Sequence, residues 1–368
     1  MKKGIQILLF LSLIVVFTSC HTTETDKISY NKQYVKEIKE ARKKMFYYVT
    51  INYVPGAAIA VSKNGKIIYS EAMGLASKDL NVDATRKTKF RIGELSELYT
   101  SLIYMKMVDN GLLNPDSTIW HYLPDFPKKK YKITLKDLAY NCSGIREERL
   151  SEEENWKSNI SIQSGLNKFK NDSLLSPPRL YQSRSMFNYN LLGAIMEKVT
   201  KERFTKIIKN YLTDTLKLTN TTTDDPYRTI NGRTNFFENN IVENITPATH
   251  RDLRFCAPSR GILSNAEDLV KLGNAIISSD FLSEKAKQEM FKPIPLYNKT
   301  PSKQTHGWFL IKTKSGDTIY GRASKVTGGG ASILMYPKEK LIIATVTNLG
   351  VDLDETPVFD IADIFLQK

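Results

Sequence analysis

The chain has 368 residues, a formal charge of +14, 41% hydrophobic and 25% charged positions, and three cysteines. This length and apolar content are enough for a sizeable core, and they exclude a disordered chain, a disulfide-stapled miniprotein and a polytopic membrane protein. The basic excess favours anionic partners such as lipid headgroups or acidic glycans. No nucleic-acid module is recognisable, so nucleic acid is not expected among the partners.

Lys2 and Lys3 precede an apolar run from Ile5 to Phe17, followed directly by Thr18-Ser19-Cys20. The run is short for a membrane span and fits the n-region and h-region of a secretory signal. Its ending is similar to a bacterial lipoprotein signal, in which Cys20 becomes the lipid-bearing first residue, although Phe17 stands where Leu is usual. An ordinary signal peptide with a chance Cys is the alternative. Residues 1–19 are therefore read as a lipoprotein-type signal and 20–29 as a polar tether, which implies a lipid-anchored protein of the bacterial cell envelope, outside the cytoplasm. Loss of residues 1–19 removes Lys2 and Lys3 and leaves a charge of +12.

From Tyr30 to Tyr48 the pattern is charged and helical, with Tyr34, Ile38 and Met45 among its apolar positions. Gly56 to Val61 and Lys66 to Tyr69 are β-prone runs joined by Asn64-Gly65, a strong hairpin signal. A helix opens near Glu94, carries Leu95, Leu98, Tyr99, Leu102 and Ile103 on one stripe, and stops at Gly111. The stretch 112–249 reads as mostly helical and loop-like, with a Glu/Ser/Asn-rich segment near 151–164. Strand character returns at Gly307–Ile311, Ala331–Tyr336 and Leu341–Val346, and a helix over Val358–Leu366 closes the chain. Strands at both ends with helices between predict an α/β (α+β type) architecture. An antiparallel sheet from residues 30–111 and 250–368 is flanked by helices, with 112–249 as a mostly helical insertion.

Phe90-Arg91-Ile92-Gly93-Glu94-Leu95-Ser96-Glu97 resembles the nucleophile helix of the serine β-lactamase and penicillin-binding protein family. Val54-Pro55-Gly56, Tyr122-Leu123-Pro124, Ser143-Gly144-Ile145, Asn188-Tyr189-Asn190-Leu191-Leu192-Gly193, Arg260 to Leu269 and Tyr336-Pro337 resemble further segments of the same family, in its order. They cover nearly all of residues 50–350 and match the branch of class C β-lactamases, D-alanyl-D-alanine peptidases and related esterases. The resemblance implies a Ser nucleophile, a Lys one helical turn later, a Tyr-x-Asn loop and a Lys/His-x-Gly strand.

Each of these positions is altered. Glu94 stands for the Ser and Glu97 for the Lys. Counting back from Asn188 puts Arg184 and Met186 on the Tyr and Asn. In the third motif the preferred register puts Val326 on the Lys/His, with Thr327 and Gly328 retained; a one-residue slide puts Lys325 there. No catalytic set is intact. Glu94, Glu97, Arg184, Lys325, Thr327 and Gly328 remain as cleft or binding candidates. Glu94 and Glu97 share one side of the helix start, and an Arg there is a natural partner, so an ion pair from Arg184 is expected. The bland alternative is that both carboxylates are solvated.

Three functional readings follow. The favoured one is a non-catalytic family member that binds an unknown envelope ligand (peptide, glycan or protein) in the inherited cleft. The others are a hydrolase of altered chemistry using Glu94 or Glu97, and a serine hydrolase with misaligned motifs. No cofactor is implied. His121, His250 and His306 are too dispersed to suggest a metal site. Cys142 and Cys256 read as buried thiols, with a disulfide between them as the alternative.

Overall fold

The computed structural model describes residues 24–149, 152, 160–240, 244–351 and 356–367. Cys20 and the signal region lie outside the described residues, as do 151 and 153–159 of the Glu/Ser/Asn-rich stretch. Strand β1 (Ile28–Tyr30) pairs antiparallel with Tyr69–Glu71, so residues 28 and 29 belong to the sheet and not to the tether. Helix α1 (Val35–Ile51) follows, and then the hairpin of β2 (Gly56–Lys63) and β3 (Lys66–Ser77). Its turn has Asn64 and Gly65 at φ 52° and 77°, the left-handed pair that a tight hairpin demands. After β4 (Val82–Asp83) and β5 (Phe90–Arg91), the chain makes a 3₁₀ turn over Gly93–Leu95 and enters helix α2 (Ser96–Asp109). The helix therefore starts two residues later than the sequence pattern placed it, and Glu94 sits in the 3₁₀ turn.

Helices α3 (Leu135–Ala139) and α4 (Met186–Thr200) form part of the central region. Thr134 caps α3 through a reciprocal pair of bonds with Asp137, and Ser185 caps α4 by accepting from the Phe187 amide. Short strands β6 (Thr222–Thr223) and β9 (Ile262–Ser264) join β5 in a three-stranded sheet, while β7 (Phe237–Asn240) and β8 (Asn244–Pro247) form a separate hairpin. Helix α5 (Ala266–Ile277) precedes the C-terminal strands β10 (Gln304–Thr305), β11 (Trp308–Lys312), β12 (Thr318–Val326), β13 (Gly329–Tyr336) and β14 (Leu341–Thr347). Helix α6 (Val358–Leu366) ends the described chain.

The main sheet runs β1-β3-β2-β14-β13-β12-β11-β10, with β4 on β3. Both ends of the chain meet where β14 pairs with β2, Val346 opposite Ala58 and Ile343 opposite Val61. The sheet is buried on both faces, and the period of two divides its side chains. Ala57, Ile59 and Val61 join Ile343 and the inward residues of α1 and α6 in one core. Ala58, Ala60, Ile342, Ala344 and Val346 face the other core, which also takes Leu98, Leu102 and Ile103 of α2, Leu191 of α4 and Leu269 of α5. The expected architecture of an antiparallel sheet flanked by helices is thus found. Strand β12 was not anticipated, and it carries Arg322 and Ser324 of the site described next.

Candidate functional site: a buried charge lattice at the start of α2

Gly93 sets the approach of two elements. Its φ is 52°, and a Cβ there would collide with Ser324 Oγ and Val326 Cγ1 of β12. A residue without a side chain lets the strand lie directly against the 3₁₀ turn. The Glu94 amide donates to Ser324 Oγ at 3.0 Å, and the Ser324 hydroxyl donates in turn to Glu94 Oε2. The other Glu94 oxygen receives Arg184 Nη2 and, at 3.1 Å, Arg260 Nε.

One turn on, the fully buried Glu97 accepts from Arg322 Nη2 at 2.9 Å, and Arg184 Nε stands 4.0 Å from its second oxygen. Arg322, buried on β12, also donates to the Gly307 carbonyl at 3.1 Å. Arg260 continues outward to Glu148 at 3.1 Å and Glu147 at 3.5 Å, and Lys168 lies 3.6 Å from Glu148. Four carboxylates thus face four cations. The Arg184 side chain, 38% exposed, is the most exposed of the inner set, ahead of Arg260 at 18%.

Burial alone pushes the Glu94 carboxyl up, but Arg184, Arg260 and the Ser324 hydroxyl outweigh it and hold its pKa near 2. Burial raises the Glu97 carboxyl, with Arg322 and Arg184 opposing and Glu94 adding to the rise. Arg184 and Arg260 lose solvation on burial, yet the carboxylates around them raise both further above the ordinary guanidinium range.

The chemistry available follows from these partners. A carboxylate held near pKa 2 by two guanidinium groups is a very weak base, so it does not activate Ser324 as a nucleophile. The Glu94 amide, the kind of backbone donor that would stabilise an oxyanion, already serves Ser324. Ser96 is fully buried and its Oγ accepts from the Ile262 amide at 3.1 Å, so it offers no free nucleophile either.

The expected ion pair between Arg184 and the two glutamates is present, and the solvated-carboxylate alternative does not hold. Met186 opens α4, buried, with its amide 3.4 Å from Glu147 Oε1. The third motif is divided between two faces, with Val326 of the preferred register against the 3₁₀ turn. Ser324 and Val326 face the 3₁₀ turn, so alternation along β12 sends Lys325 to the opposite face, where it is exposed and lies against Gly350. Thr327 and Gly328 form the β12–β13 turn away from the carboxylates. Arg91 donates to the Thr327 carbonyl at 3.1 Å, and Gly328 abuts Phe236 and Ala248. The strand cation facing α2 is Arg322, four residues before Val326. Arg260, Arg322 and Ser324 were missed as site residues, although the alternation in Thr318-Ile319-Tyr320-Gly321-Arg322-Ala323-Ser324 is a usable strand signal.

Elsewhere, His306 is buried among Tyr104 and Tyr140, with Nδ1 3.0 Å from the Met290 carbonyl, and Cys142 and Cys256 are buried free thiols. A cavity of about 1100 Å³ in the central region is lined by Phe126, Glu197, Arg203 and Tyr227 and touches none of the lattice residues.

A two-sided sheet built from both chain ends, with a helix start pressed against one strand at the mouth of a helical insertion, defines the architecture of the penicillin-recognising serine hydrolases. A family profile described as Beta-lactamase matches residues 42–361, and the chain belongs to that family. Protein flp of Staphylococcus aureus is 25% identical over 308 residues, covering 81% of this chain; the chain spans 60% of that relative's length. The human mitochondrial serine beta-lactamase-like protein LACTB is 23% identical over 390 residues, covering 80% of this chain and 71% of the relative. Among solved structures, FmtA from Staphylococcus aureus superposes with a TM-score of 0.76 at 18% identity, covering 97% of this chain and 96% of that one. A class C beta-lactamase gives 0.75 at 16% identity, covering 92% and 99%.

Proposed function

We propose that this chain is a non-catalytic member of the β-lactamase family, an envelope lipoprotein anchored through Cys20. Its inherited cleft would bind a peptide, glycan or protein ligand. The observation that carries the reading is the saturation of Glu94: both carboxylate oxygens and the amide are engaged by Arg184, Arg260 and Ser324. Where the family mechanism needs a nucleophile, a proton acceptor and an open oxyanion donor, this site holds neutralised charge. A serine nucleophile's loss alone costs on the order of a million-fold in turnover. A hydrolase using the two carboxylates finds no support, since Glu97 is sealed from solvent and Glu94 is too weak a base. The half-exposed Arg184 and the outer Glu147 leave a polar rim suited to a ligand with both carboxylate and ammonium or amide groups.

The test is covalent labelling of the purified protein with a fluorescent penicillin and with a fluorophosphonate. Neither reagent is expected to label it. A stoichiometric adduct on any serine would overturn the proposal, and so would turnover of an ester, amide or glycoside that Glu94→Gln abolishes.

A further inference from the structure

On the face of the sheet away from the charge lattice, α1 presents Val35, Lys39, Arg42 and Phe46 at spacings of four, three and four residues, which is one helical stripe. Phe46 is 65% exposed although it is a large aromatic. Beneath this stripe lies a shallow recess of about 590 Å³, floored by Ile28, Ala72 and Met73 and rimmed by Lys27, Lys39, Arg42 and Lys43. Its lone carboxylate, Glu71, is buried and already held by Arg42 at 2.9 Å and by the Tyr69 hydroxyl at 2.7 Å. Lys27 and Lys43 reach acids outside the recess, Asp83 and Glu40, while Lys39 has no ion-pair partner among the described residues. The recess therefore combines an apolar floor, a protruding aromatic and a positive rim.

Its position gives it an occupant. Lys27 and Ile28 are both part of the recess and among the first described residues of the chain. Three residues lie between Cys20 and Glu24, and the four extended steps from one to the other span at most about 14 Å. A lipid on Cys20 would hold this face against the bilayer.

We propose that the α1 face is a docking surface for an anionic phospholipid bilayer, with Phe46 entering the interfacial layer and Lys27, Lys39, Arg42 and Lys43 meeting lipid phosphates. The pairing of an interfacial aromatic with a cationic rim is what such a layer selects. A flat docking of α1 fixes the orientation of the fold, so the charge lattice on the other side of the sheet faces away from the membrane. The orientation rests on the lipoprotein reading, whereas the surface itself stands on the recess.

The test uses the full mature chain in phosphatidylcholine vesicles made with and without phosphatidylglycerol. A nitroxide is placed by Phe46→Cys, and a control label by Tyr297→Cys, at a well-exposed position in the segment between α5 and β10; native Cys142 and Cys256 are buried. On anionic vesicles the label at 46 is expected to gain oxygen collisions and lose those with a water-soluble nickel complex. The label at 297 stays water-accessible, and Lys39→Glu with Lys43→Glu cancels the gain at 46. Equal water access at both positions on anionic vesicles overturns the proposal. Dipolar broadening at 46 without lipid also overturns it, in favour of a second copy of the chain on this face. The intact mass of the N-terminal peptide reports the anchor separately. An unmodified Cys20 removes the lipoprotein reading, while insertion at 46 on anionic vesicles would still support the surface.

Discussion

Replacing Glu94 by Gln keeps the side-chain volume and removes the charge that Arg184 and Arg260 share. The native carboxyl titrates near 2 against an ordinary 4.5. The difference of about 2.5 units corresponds to roughly 3 kcal/mol of stability at neutral pH, at 1.36 kcal/mol per unit. The residue is 7% exposed, so solvent screens little of this, and the figure agrees with the roughly 3–5 kcal/mol lost on breaking a buried ion pair. Because the folded pKa is depressed, the stabilisation is complete above about pH 4.5 and is lost as pH falls towards 2. Urea unfolding of wild type and Glu94→Gln from pH 7 downward should therefore give midpoints far apart at neutrality, with similar m-values, that converge in acid. A difference below about 1 kcal/mol at pH 7, or one that stays constant down to pH 2, would refute a charge-locked Glu94.

Arg322→Met leaves Glu97 buried with Arg184 at 4.0 Å as its nearest remaining cation, and should cost about 3–5 kcal/mol in urea unfolding. Adding Glu97→Leu should recover most of the loss, because two apolar residues need no pairing; a double variant no better than the single would contradict the account. His306 is held neutral by burial, its pKa lowered from 6.5 to about 4 while the Met290 carbonyl opposes the fall. The unfolded imidazole takes up its proton near pH 6.5 and the buried one only near 4, so about 3 kcal/mol of stability is lost as pH falls from 6.5 to 4. Wild type should lose stability relative to His306→Phe across that window, and parallel pH curves would show that the imidazole titrates normally.

Most of the frame was readable from local pattern. Asn64-Gly65 announces its hairpin because few residues tolerate the left-handed pair, and Val358–Leu366 announces its helix by periodicity. The Glu94–Arg184 pair was readable because framework motifs on either side fixed both positions. Arg260, Arg322 and Ser324 were not, because what makes them site residues is tertiary. They approach Glu94 or Glu97 from 166, 225 and 230 residues away. Strand β12 hid Arg322 and Ser324, since its glycine-rich end blurs the register and draws attention to Val326. The tether was overextended because Ile28-Ser29-Tyr30 is too short to show a period, and only the edge of β3 makes it a strand.

The charge lattice also constrains the order in which the molecule assembles. Its contacts join segments 90, 166 and 225 residues apart, so the set is complete only when the helix start, the insertion, Arg260 and the late strands have all converged. Until then water solvates each ion better than any single partner would, and desolvation is repaid only when the set is complete. The expectation is that closure follows the rate-limiting step of folding, so Glu94→Gln should speed unfolding while leaving the folding rate nearly unchanged in stopped-flow measurements. On that expectation the same residues act as a late latch on the native state, setting how long a folded molecule lasts and not how quickly it forms.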